Sequence, residues 1–214
     1  MRKALFLIAI GAIYRLVPHP WNLVPMGALS LYAGASLPRR WAWVVPVAAM
    51  GLSDLVIDYA VGRPFLDPSR WIIYASFALT TLMGPLARRP KVGPWLLPVL
   101  SLSASALFFL TSNFGAWLVP EMNYPRNLAG LLACYVAGIL FIRPTILADL
   151  AGTAVLFGLD AILERANRLL PARGASLQPV VNPPTVVSTA APISSELIAS
   201  IRSIVLVQPW IGGC

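Results

Sequence analysis

Apolar residues fall along this chain in long blocks, punctuated by short polar or basic clusters. The blocks are Ala4–Tyr14, Pro25–Leu37, Trp41–Ala60, Arg70–Ala87, Trp95–Trp117, Leu128–Ile142 and Pro144–Leu163. A helix over Trp41–Ala60 covers roughly 30 Å at about 1.5 Å per residue, the thickness of a bilayer's hydrocarbon core. Arg39 and Arg40 precede it, and Trp41 and Trp43 mark its start as a membrane–water interface. Its two charges, Asp54 and Asp58, are four residues apart and share one helical face near its far end. Pro25–Leu37 is short and rich in small residues (Gly27, Ala28, Ala33, Gly34, Ala35), which lets helices approach closely in lipid. The opening block has the length of a signal-peptide core, but Arg15 and Pro18 follow it at once. A retained short helix is therefore expected.

The blocks 128–142 and 144–163 meet at Arg143-Pro144, and together they are too long for one span. Basic residues decide between the alternatives. With Leu128–Ile142 as a re-entrant or obliquely packed helix, six spans place Arg2, Lys3, Arg39, Arg40, Arg88, Arg89, Lys91, Arg165, Arg168 and Arg173 on one side. Arg15, Arg63, Arg70, Arg126 and Arg143 lie at or beyond the other boundary. The positive-inside bias then puts both termini in the cytoplasm. The expected fold is an all-α polytopic transmembrane bundle of six spans plus the re-entrant helix. It occupies residues 1–170, and a flexible Pro/Ser/Thr-rich tail follows over 171–214.

Composition supports the membrane reading: 58% of the 214 residues are hydrophobic and 11% charged, which no soluble domain of this size matches. The net charge of +8 would suggest nucleic acid in a soluble protein. Here the basic residues sit between apolar blocks and encode topology, so no nucleic-acid partner is expected. A single histidine, His19, excludes any site built from several imidazoles. No nucleophile elbow, zinc-protease or phosphate-loop motif is present. Neither catalysis nor a metal or cofactor is expected.

In the six-span arrangement, intramembrane polar residues gather at the outer side. Asp54 and Asp58 end span three. Asn113, with Thr111 and Ser112, ends span five, and Asp149 lies early in span six with Thr145 and Thr153 on its face. Trp21, Asn22 and Tyr124 fall in the outer loops. Together these residues point to an outward-facing pocket for a small molecule. The alternative is that Asp54 and Asp149 pair with Arg15 or Arg143, or cap helices, and fasten the bundle. Asp160 and Glu164 lie at the inner end, within reach of the basic cluster.

A resemblance appears at several of these residues. Asn22-Leu-Val-Pro25-Met-Gly27-Ala28-Leu29, Leu52-Ser53-Asp54, Phe108-Phe109, Asn113-Phe114-Gly115 and Tyr124-Pro125 resemble an uncharacterised family of bacterial multi-pass membrane proteins. That family is in turn similar to the substrate-binding (S) components of energy-coupling-factor (ECF) transporters. The resemblance covers about residues 1–165. It implies six helices, a vitamin-like ligand held near the outer face of the bacterial inner membrane, and a transmembrane coupling subunit with two ATPases as partners. The expected function is binding of a small metabolite for uptake. The alternative is a non-transporting structural or assembly subunit of a larger membrane complex.

Overall fold

The computed structural model describes residues 1–18, 23–62, 70–88 and 95–169, apart from the side chains of Glu121 and Leu169. The expected tail, His19, Trp21, Asn22 and the 63–69 and 89–94 connections lie outside these residues. Everything regular in the described residues is helical. The helices are α1 (Arg2–Leu16), α2 (Met26–Ser36), the single turn α3 (Arg39–Ala42), α4 (Val44–Val61), α5 (Arg70–Thr80), α6 (Leu96–Leu118) and α7 (Leu128–Leu169). α5 runs on as a 3₁₀ segment, Thr81–Arg88, and a short 3₁₀ turn, Pro120–Met122, follows α6. Among the described residues, three stretches are long and apolar enough to cross a membrane: Arg39–Val61, Leu96–Leu118 and Leu128–Arg168. The chain has the build of a membrane protein.

The bundle is organised around α2, not around the longer α4. Eleven residues make α2 only about 16 Å long, yet Met26 through Gly34 are all buried. Small side chains explain how so many neighbours reach it. Gly34 meets the 3₁₀ segment backbone to backbone: a Cβ added there would lie 1.9 Å from the Thr81 carbonyl oxygen. At Gly84, across the same crossing, it would lie 2.3 Å from the Ala35 nitrogen. Gly11 of α1 packs against Leu29 and Ala49, and Gly152 of α7 against Pro25 and Ala28. Larger side chains fill the remaining core: Leu7, Met26, Leu29, Tyr32, Val45, Met50 and Phe77. Phe77 stacks on Phe108 at 4.7 Å, and Tyr32 meets Phe157 edge-on at 5.2 Å.

One expectation is corrected. The blocks 128–142 and 144–163 are not a re-entrant helix and a separate span; they form one continuous 42-residue helix with Pro144 inside it. Pro144 removes one backbone donor, a loss that membrane helices tolerate where neighbours restore the packing. Here α6 does so, lying antiparallel along α7 with Gly138 against Asn113 and Ser105 bonded to Asp149. That register sets Asp149 level with the middle of α6, deeper than a position early in a span starting at Pro144.

The bundle has two different ends. At one, Lys3 and Arg88 both reach Asp160, at 3.2 and 2.8 Å, and the Lys3 ammonium lies over the Tyr32 ring. The other end holds the C-termini of α1 and α4 and the start of α5. Gly62 stops α4 there, its positive φ of 70° closing the helix with an N–H bond to the Asp58 carbonyl.

Candidate functional site

The second end is the most highly charged buried region among the described residues. α4 supplies Ser53, Asp54 and Asp58 from successive turns of one face. Arg15 comes from the last turn of α1, which runs parallel to α4, and Arg70 and Tyr74 from the first turns of α5. Arg15 donates to Asp54 Oδ1 at 2.7 Å, to Ser53 Oγ at 2.7 Å and to the Met50 carbonyl at 3.1 Å. Arg70 grips Asp58 with two parallel bonds of 2.7 Å and also lies 3.8 Å from Asp54 Oδ2. The Tyr74 hydroxyl donates to that same Asp54 oxygen. Asp54 and Asp58 are 3% and 2% exposed. Two carboxylates, two guanidiniums and a phenol thus form one bridged network, with Asp54 shared between both arginines.

Asp149 stands apart from it. Ser105 Oγ donates to its Oδ2 at 2.8 Å, and the Ala28 backbone N–H donates to its Oδ1 at 3.0 Å. The carboxylate thereby caps the N-terminus of α2 from across the bundle, meeting N–H groups left unpaired at a helix start. Gly27 makes room for it, since a Cβ there would sit 2.3 Å from Asp149 Oδ2. Thr145 and Thr153 continue the polar face of α7, and Ser101 that of α6, all buried. Neither Ser101 Oγ nor Thr153 Oγ1 has a hydrogen-bond partner among the described residues.

The residues expected to form one pocket are therefore distributed. Asp54 and Asp58 share the charged network. Asn113 is buried on α6 against Gly138, its Nδ2 donating to the Phe109 carbonyl at 2.8 Å. Tyr124 lies half-buried between α6 and α7, in the turn where Trp117 donates to the Pro125 carbonyl. No hydrogen bond among the described residues joins Asp54, Asn113 and Asp149. The expectation of a shared depth rested on starting span six at Pro144. Trp21 and Asn22 lie outside the described residues. The pairing of Asp54 with Arg15, weighed above as the alternative, is the one observed; Arg143 does not meet Asp149.

Tyr74 and Ser105 were not singled out from the sequence, and Arg70 and Ser53 entered only as a boundary base and as part of a motif. The usable signal was spacing: Arg70 and Tyr74 are four apart, as are Asp54 and Asp58, so each pair presents one face. What sequence does not show is that the two faces oppose each other.

The fold and site define a class: an apolar helical bundle of membrane type, with a buried carboxylate–guanidinium network at one end and a capped carboxylate at its middle. Residues 2–173 match the model of a family of unknown function, DUF6580, and the chain belongs to that family. No curated protein and no solved structure matches the chain.

Proposed function

We propose that this protein is a substrate-binding subunit that holds a small metabolite for uptake across the bacterial inner membrane, energised by separate partner subunits. On this reading the chain passes six times, with α2 and its approach through Leu23–Pro25 as the shortest pass. Arg2, Lys3, Arg39, Arg40, Arg88, Arg165 and Arg168 then lie on the cytoplasmic side with both termini. The observation that supports it is the four-charge network around Asp54. Burying two acids and two arginines is costly, and well-packed apolar side chains of similar volume would fasten helix ends at least as well. Charges inside a membrane bundle characteristically mark substrate or ion sites. A ligand bearing a charged group would exchange with one internal partner, most simply with the Arg15 or Arg70 arm of Asp54.

A second reading, a structural subunit of a larger complex, draws on a different observation. Each network carboxylate already has an arginine at 2.7 Å, so the site is chemically complete as it stands. Native mass spectrometry of gently purified protein separates the two. A retained small molecule that is lost in Asp54→Asn supports uptake. Retained protein subunits with no small molecule in either form overturn it.

A further inference from the structure

A lone arginine sits on the outward apolar face of α7. The α6–α7 register, with Asn113 beside Gly138 and Ser105 beside Asp149, places Arg143 level with Phe108 to Thr111. That is about 10–15 Å short of the end of α6 at Leu118, at 1.5 Å per residue, and close to the middle of that helix. Arg143 is exposed, and no hydrogen bond or ion pair reaches it among the described residues. Its neighbours on the same helical face are exposed and apolar: Val136 at 66%, Leu140 at 77% and Leu147 at 63%. Arg15 and Arg70, at the charged end of the bundle, turn inward onto carboxylates. Arg143 instead points away from the bundle, further from either end of α6 than a side chain reaches by snorkelling.

A guanidinium at that depth facing only acyl chains is strongly disfavoured, and intramembrane charges characteristically find a counter-charge. We propose that this face of α7 docks a transmembrane helix of a different protein, which presents an aspartate or glutamate to Arg143 near the bilayer midplane. Among the described residues a second copy of this chain does not supply that acid. Asp54, Asp58 and Asp149 are buried and engaged, Asp160 is tied to Lys3 and Arg88 near the helix ends, and Glu164 lies near the end of α7 beside Arg168. Val136, Leu140 and Leu147 form the apolar seam around the charge pair, at the three-to-four-residue spacing of a packed helix face. The proposal rests on the membrane reading of the chain, and holds whether or not the network around Asp54 binds a metabolite.

Photo-activatable cross-linking residues placed separately at Leu140 and Leu147, in cells making the full chain, test it. The expected result is one heterologous adduct from both positions, with an acidic residue midway along a transmembrane helix of the captured protein. Arg143→Glu should cut its yield about tenfold or more through like-charge repulsion. Changing the captured protein's acid to arginine should restore it in that background. Arg143→Leu, which removes the charge without hindering insertion, serves if the glutamate variant does not accumulate, and should also lower the yield. Adducts only to a second copy or to lipid, or a heterologous adduct indifferent to Arg143→Glu and Arg143→Leu, overturn the proposal.

Discussion

Asp54 and Asp149 are buried alike, 3% and 1% exposed, and the chain compensates them by opposite means. Asp54 lies in a network with two guanidiniums, brought together by three helix ends. Asp149 has no base among the described residues; α2 offers it backbone N–H groups and partial positive charge, and Ser105 offers a hydroxyl. The first arrangement depends on side chains that must all be present, because removing one charge strands another. The second depends mainly on backbone, which mutation does not remove. Buried acids of equal exposure should therefore differ sharply in what their surroundings tolerate.

The largest effect is expected from Arg15→Ala. It leaves Asp54 with the Tyr74 hydroxyl and, of its two guanidiniums, the more distant Arg70, and should cost about 3–5 kcal/mol, read as a lowered unfolding midpoint in detergent micelles. The double variant Arg15→Met with Asp54→Leu should recover most of that loss, since it removes both charges and keeps the volume. A double variant as unstable as the single one would show that Asp54 is needed for more than pairing with Arg15.

Asp149 sharpens the contrast. Asp149→Ala leaves buried N–H donors at the start of α2 unmet and should cost about 1–3 kcal/mol. Asp149→Asn keeps an oxygen acceptor for the Ala28 N–H and should lose only about 1 kcal/mol of charge–dipole attraction. Equal losses for the two variants would mean that the charge, not the cap, holds α2 in place. Gly27→Ala perturbs the same cap sterically and should cost about as much as Asp149→Ala, about 1–3 kcal/mol from overpacking.

Ser105→Ala deletes one hydrogen bond to a charged group and should cost about 1.5 kcal/mol. A larger loss, measured by the same unfolding assay, would show that the hydroxyl orders more of the polar face than Asp149 alone. The smallest effect belongs to the opposite end. Lys3→Gln breaks a partly exposed pair with Asp160, which Arg88 still holds, and should change stability by less than about 1 kcal/mol.

Much of the helix layout was legible in the chain. Trp41–Ala60 appears as Arg39–Val61, and Trp95–Trp117 as Leu96–Leu118. Arg70–Ala87 appears as α5 with its 3₁₀ continuation, and Pro25–Leu37 as α2. These follow from runs of apolar residues bounded by Pro, Gly and charge, a local signal. The meeting of Asp160 with basic residues at one end followed from charge position alone. Arg143-Pro144 misled for a physical reason: a charge beside a proline signals a helix end in general, but the α6 surface carries α7 straight through it.

What only the tertiary structure decided is which faces oppose one another. Small residues in Pro25–Leu37 announced close packing, but not that α2 would be the buried centre on which six other segments converge. Asp54 and Asp58 announced a buried acidic face, but Arg70 and Tyr74 had to arrive from another helix to turn it into a closed network. Asp149 had the sequence signature of a binding-site acid. Its role as a cap arises because an 11-residue helix starts partway through the bundle, leaving backbone N–H groups that only a neighbouring helix was placed to meet.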